Sequence, residues 1–307
     1  MADRDKHAAR NDWLTSERAS LEEERNGLQE TVDRYGLWSP GHFYSPHPDL
    51  EAVEHDQDRL FATPDALSGI DLRHSQQLEL LEKLAPISRD QPFSNERDGR
   101  HRYHFDNDMF SAGDGLVYHC LLRYLRPRRV VEVGIGYSSA LLLDTVDEFL
   151  GGRCSATFID PHPERMVDLL GAGEQTVDII AERVQDISRD IFSSLEAGDV
   201  LFIDSTHVSK IGSDVNYLYF EVMPSLAPGV FVHIHDIFWP FEYPRSWVLE
   251  GRAWNEAYLL RGVLINNSRL EIVWFNDYLR CMEHDRVQGA LPLWARNPGG
   301  SVWLQVR

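Results

Sequence analysis

The chain has 307 residues, 43% of them hydrophobic, and carries 30 Lys and Arg against 49 Asp and Glu, a formal net charge of −19. That length supports one large domain with appendages or two modest ones. A surface so acidic repels phosphate backbones and anionic lipid headgroups, which argues against nucleic-acid and membrane-surface partners. Cys120, Cys154 and Cys281 are widely spaced with no CxxC pair, so neither a disulfide framework nor a zinc knot is expected. The opening MADRDKHAAR has no apolar signal core, and no apolar run reaches the ~18 residues of a membrane span. A soluble, cytoplasmic protein is the expectation.

In chain order, residues 1–36 come first as an amphipathic helix, with Leu14, Leu21, Leu28 and Tyr35 recurring every seven residues. The intervening positions are poorly apolar, and Gly27 weakens the middle. Two readings stay open: a helix lying on its own domain, or an arm that joins two copies into a homodimer. Residues 37–100 carry proline and glycine punctuation and one helix over 75–84, which reads as an irregular, partly helical cap.

From 101 to 307 the pattern changes. A helix is expected over 113–125, with Arg123, Arg126, Arg128 and Arg129 a solvated basic helix end. Strands then alternate with helices: 129–134 with 138–149, 155–160 with 163–170, 177–182 with 188–196, 199–204 with 212–225, and 229–236 with 252–264. Two closing strands, 270–276 and 301–306, have no strong helical pattern between them and include an antiparallel edge. Alternation of this kind implies right-handed crossovers and a sheet covered on both faces. The expected fold class is α/β: a Rossmann-like, doubly wound, mostly parallel seven-stranded sheet with an antiparallel last strand, plus a helical N-terminal extension.

In such sheets ligands bind beyond the carboxyl ends of the strands. VVEVGIGYSS (130–139) ends the first strand. Gly134 and Gly136 can take positive φ and admit a ligand close to the backbone. The third glycine of the dinucleotide fingerprint is replaced by Ser139, and Glu132 precedes the pair. A pyrophosphate disfavours that acid; an amino-acid tail with an ammonium group does not. Asp160, 24 residues after Gly136, can accept from both hydroxyls of a ribose. Asp186 either accepts from an adenine amino group or faces solvent. Together these describe a nucleoside joined to an amino acid, S-adenosylmethionine.

The E-x-G-x-G at 132–136, Asp160, the LAPG turn before strand five and the two closing strands resemble class I S-adenosylmethionine-dependent methyltransferases over about 105–307. Within that class, FIDSTHVSKIGSD followed by VHIHD is similar to a small-molecule subgroup. That subgroup has Asp-x-x-His after strand four, a later Asp, and His-Asp after strand five. The resemblance implies cofactor contacts from Glu132, Gly134, Gly136, Asp160 and Asp186, with Ser138 beside them at the helix start. It assigns no role to the first hundred residues.

Methyl transfer to a hydroxyl needs in-line placement, dryness and somewhere for the proton to go. Asp204, His207, His235 and Asp236 are the candidate catalytic group. In one reading His207 or His235 is a general base. In another, Asp204, His235 and Asp236 hold a divalent cation, magnesium or similar. In a third, the histidines only make structural hydrogen bonds. Metal-binding members of the class carry two acids, or an acid and an amide, after strand five, so His-Asp departs from them. His233 reads as a core histidine, and Asp214 as an orienting acid for His207 or Lys210, or a solvated one.

Residues 237–260 are dense in aromatics. Trp239, Phe241, Tyr243 and Trp254 are candidate acceptor-binding residues on a lid, with Glu242, Arg245, Arg252, Asn255 and Glu256 as candidate polar anchors; the alternative is a packed excursion over the core. Asp106, Asn107 and Ser111 are candidates to close the cofactor's other side. The functional expectation is methyl transfer to a small molecule, at oxygen. An NAD-dependent oxidoreductase and a non-catalytic, methyltransferase-like binding or assembly protein are the alternatives.

Overall fold

The computed structural model describes residues 2–110, 112–164, 169 and 177–307. Ser111 and most of the expected helix at 163–170 lie outside the described residues. The chain divides into two units, residues 1–60 and 61–307.

The first unit is helical: α1 (Ala2–Tyr35), α2 (Leu50–His55) and α3 (Gln57–Leu60). Helix α2 starts because Asp49 Oδ1 accepts from the amides of Glu51 (3.0 Å) and Ala52 (3.3 Å), donors that the first turn otherwise leaves unpaired. Along α1, Leu14, Leu21, Leu28 and Val32 are exposed. No described helix is long and apolar enough to cross a membrane.

The second unit begins with α4 (His74–Ser88) and α5 (Ala112–Leu125) and then builds the sheet. Its strands are β1 (Arg129–Val133), β2 (Ser155–Ile159), β3 (Asp178–Ile180), β4 (Val200–Ile203), β5 (Phe231–His235), β6 (Leu270–Phe275) and β7 (Ser301–Val306). They run in the order β3-β2-β1-β4-β5-β7-β6. Strands β1 to β5 pair in parallel, and β7 is antiparallel to both β5 and β6. The antiparallel strand therefore lies inside the sheet, and β6 takes the edge. From β1 the chain builds outward to β3, then returns to place β4 on the other flank. That reversal opens a crevice at the β1/β4 carboxyl ends.

Helix α6 (Tyr137–Thr145) follows β1, and continues as a π-helical turn over Val146–Leu150. Short helices α7 (Asp190–Ser193), α8 (Asp214–Tyr217) and α9 (Arg245–Leu249) precede α10 (Glu256–Leu264). One element departs from expectation: α11 (Asn276–Ala290) sits between the last two strands, where no helix was predicted. It buries few apolar residues and holds a non-helical Glu283, so its helical periodicity is weak in the sequence. The strands are near-continuously apolar because both faces are covered: their own Phe158, Phe202, Trp274 and Trp303 are fully buried.

Candidate active site

Gly134 sits at the crevice with φ +91°, and a Cβ there would overlap the carbonyl oxygen of Asp204. This position needs glycine, because β1 and β4 converge here: Asp204 N donates to Val133 O at 2.9 Å. Gly136 differs from expectation. Its backbone is extended (φ −176°), a conformation open to any residue, and a Cβ there would meet nothing within 4 Å. The space beside it is what admits a ligand.

Glu132 is fully buried. Its Oε1 accepts from Ser138 Oγ (2.6 Å) and Ser139 Oγ (2.7 Å), which ties the loop to the strand. Its Oε2 is buried with no partner. Burial pushes its pKa up to about 8, against the two serine hydrogen bonds. Asp160 fixes the same loop from the other side, accepting from Ile135 N (3.0 Å) and His162 N (2.7 Å). Both oxygens keep a free lone-pair direction.

Gly134, Gly136, Ser138 and Asp160 line a cavity of about 340 Å³, and Asp160, His162, Val184 and Gln185 line one of about 460 Å³. The two share Gly134, Asp160 and Asp204 and so form one groove along the strand ends. Asp186 is not on that wall. Arg183 holds its carboxylate at 2.7 and 3.1 Å on the surface, and Gln185 stands at the groove instead.

The acids and histidines converge at the groove's end. His207 Nε2 lies 3.3 Å from Asp204 Oδ1 and 3.6 Å from Asp236 Oδ2. His235 Nδ1 lies 3.5 Å from Asp204 and 3.7 Å from Asp236. His207 (φ +59°) and Asp236 (φ +55°) both adopt the left-handed conformation that side-chain-bearing residues avoid. Strain of this kind persists where the surroundings over-determine the backbone, and it concentrates at working sites.

Among the described residues, the group whose donor atoms converge within 4.8 Å is Asp204, His207 and Asp236. The predicted set held His235 in place of His207. His235 is a strand residue that turns Nε2 toward Asp114 Oδ2 (3.4 Å) and packs its ring near Phe110 (5.2 Å). His207 comes off a loop and aims Nε2 at both acids.

Burial works against a charged His207, but hydrogen bonds to Asp204 and Glu256 outweigh it and raise its pKa to about 10. His235 is likewise raised well above the usual range, since the charges of Asp236 and Asp204 overcome its burial. Asp204 is held well below the carboxylate range despite burial, mainly by the His235 charge; burial pushes Asp236 upward.

Two further carboxylates reach the cluster: Asp114, which the sequence did not single out, and Glu256, which it offered only as a polar anchor of the 237–260 segment. Glu256, on α10, is fully buried and places Oε2 2.9 Å from His207 Nδ1. Asp114, on α5, backs His235 and accepts from Asn276 Nδ2 (2.7 Å) and Gly300 N (3.1 Å). An acid inside an otherwise apolar helix was the available signal for Asp114. His233 is a neutral core residue stacked on Trp303 (4.5 Å, 11°), its pKa driven down to about 3 by burial. Asp214 accepts from the amide and hydroxyl of Thr206 at 2.9 and 2.6 Å, so it braces the loop rather than His207 or Lys210.

A larger cavity of about 880 Å³ opens from the cluster, lined in part by Trp239, Tyr243, Trp247, Trp254, His235 and Asp236. His235, Asp236 and Trp254 line both this cavity and the groove, so the two meet at the cluster. Phe241 does not line it. The ring is fully buried against Phe275 (5.3 Å), a core contact inside the aromatic segment. Asn107 orders the 104–110 turn, donating to His104 O (2.7 Å) and accepting from Phe110 N (2.7 Å), and it lines the larger cavity. Asp106 pairs with Arg296 away from the groove.

A family model described as a methyltransferase domain matches residues 131–237. An uncharacterised protein of Archaeoglobus fulgidus is 32% identical over 176 residues, 54% of this chain and 78% of that protein. Among solved structures, the SAH-bound methyltransferase PaMTH1 of Podospora anserina covers 79% of this chain and 99% of its own, with 12% identity and a TM-score of 0.41. The O-methyltransferase TomG of Streptomyces achromogenes, solved with SAM, covers 83% and 96%, with 16% identity and a TM-score of 0.39.

Proposed function

From a chain that belongs to one family with the archaeal protein and carries a methyltransferase domain over residues 131–237, we propose methyl transfer from S-adenosylmethionine to a hydroxyl of a small molecule. The methyltransferase match speaks against the oxidoreductase alternative, and the intact strand-end residues speak against a non-catalytic methyltransferase-like protein. The observation that carries the finer reading is the meeting of the glycine-loop groove and the aromatic cavity at Asp204, His207, His235 and Asp236.

The residues fit the cofactor. Glu132 lies buried beneath the groove rather than on its wall, with an orphaned Oε2 that suits an ammonium; the open space at Gly136 admits a close approach, and Asp160 retains lone pairs for ribose hydroxyls. Bound there, the cofactor supplies an electrophilic methyl on a sulfonium. Trp239, Tyr243 and Trp254 hold the acceptor and exclude water. Once the ring has given up its own proton, His207 Nε2 takes the hydroxyl proton, and Asp204 and Asp236 stabilise the resulting imidazolium. The ring carries a proton in the ligand-free protein, and a positive charge placed beside it lowers its proton affinity.

A second reading is favoured by the convergence of Asp204, His207 and Asp236, a donor set of two carboxylates and one imidazole. A divalent cation held there would lower the hydroxyl's pKa instead. Calorimetric titration with S-adenosylhomocysteine tests the central claim; no binding at high micromolar concentration removes it.

A further inference from the structure

We infer that Glu256 is a positioning residue for His207: it holds the hydrogen on Nδ1, so that Nε2 is the nitrogen presented to Asp204, Asp236 and the reacting hydroxyl. The inference rests on the methyl-transfer reading for its purpose, though not for its geometry.

The pair is enclosed. Glu256 is fully buried, His207 nearly so, and Oε2 lies 2.9 Å from Nδ1. The other carboxylate oxygen has no hydrogen-bond partner. Tyr219 and Tyr243 also face this acid, and burial together with its charge raises both phenols. Carboxylates face both ring nitrogens, and the contact at Nδ1 (2.9 Å) is shorter than either at Nε2 (3.3 and 3.6 Å), so Nδ1 is the nitrogen that keeps its hydrogen when the ring is neutral. The hydrogen bond made by one imidazole nitrogen decides what the other can do. Here the other is Nε2, 3.3 Å from Asp204 and 3.6 Å from Asp236.

The backbone is clamped as well. The amides of Asn255 and Glu256 donate to His207 O at 3.0 and 3.2 Å. Asn255 grips Ser209 from both sides, accepting from its amide (2.6 Å) and donating to its carbonyl (3.3 Å). These contacts dock the loop after β4 on the start of α10 and hold His207 at φ +59°. Trp254, which lines the acceptor cavity, lies 4.4 Å from the imidazole ring. Helix α10 thus ties the aromatic wall to the ring, and the arrangement serves a histidine base and a cation ligand equally.

The test is nitrogen NMR of the histidines in the full-length protein, with His207 assigned by His207→Gln. When the ring is cationic both nitrogens carry hydrogen; as pH is raised, Nε2 is expected to lose it while Nδ1 keeps it. In Glu256→Gln, whose amide can present either oxygen or NH₂, the preference for Nδ1 is expected to be lost. Glu256→Asp, a carboxylate on a shorter arm, restores it in part. The Kd for S-adenosylhomocysteine should stay within about twofold in both variants, a change expected of a residue that lines neither part of the groove. Loss of the Nδ1 hydrogen first in the wild type, or an unchanged preference in Glu256→Gln, overturns the inference. A variant that loses cofactor binding along with the signature marks Glu256 as merely structural and overturns it too. Failure of the wild type to bind S-adenosylhomocysteine overturns the methyl-transfer reading instead, and leaves the ring's proton position measurable.

Discussion

Replacing Glu132 by glutamine should stabilise the ligand-free protein and weaken its hold on the cofactor. The carboxyl is fully buried and its pKa is raised from 4.5 to about 8, chiefly by that burial. Between those values the folded protein keeps a proton that the unfolded chain releases. Stability therefore falls as pH rises through the window, by about 1.4 kcal/mol per pH unit for a single group. Glutamine cannot ionise, and its amide oxygen can still accept from Ser138 and Ser139. The variant's advantage in unfolding free energy should vanish near the ordinary carboxyl value and reach about 3 kcal/mol close to neutral pH. Urea denaturation of both proteins across a pH series measures it. An ammonium beside Oε2 favours the ionised carboxylate, so cofactor binding to the wild type should release a proton. Calorimetry in two buffers of different ionisation enthalpy reads that proton, and the variant should release none from this site. Parallel pH curves for the two proteins would refute the burial argument; equal cofactor affinity would refute the pairing of Oε2 with an ammonium.

Gly134→Ala forces a side chain into φ +91° and against the Asp204 carbonyl; a loss of about 2–4 kcal/mol in chemical denaturation is expected, with weaker cofactor binding. Phe241→Ala should cost about 3–5 kcal/mol as a core truncation while leaving S-adenosylhomocysteine affinity unchanged, because the ring packs on Phe275 and not on a cavity wall. Calorimetry with Mn²⁺ separates the two accounts of the cluster: binding to the wild type that is lost in Asp236→Asn supports the cation. No binding to either leaves His207 as the proton acceptor.

The strands and the glycine loop were legible because their signals are local. A strand buried on both faces must be apolar, and the turn at Gly134 must lack a side chain, whatever the rest of the chain does. Asp160 and the acids and histidines after β4 and β5 could be placed at one crevice, since parallel strands send their carboxyl ends to the same side. Helix α11 was missed because much of its surface is polar and its periodicity breaks at Glu283. Phe241 was assigned to the acceptor wall by composition, and only packing shows which way a ring turns.

The sequence by itself determined the sheet, its loop chemistry and the convergence of four titratable residues, because each follows from strand direction and residue type. Tertiary structure decided which atoms face one another. Asp114 arrives from a helix before the first strand and Glu256 from one after the fifth, and no spacing in the chain relates either to its histidine. Folding brings them in because a buried imidazole with one nitrogen turned to the reacting centre needs a partner for the other.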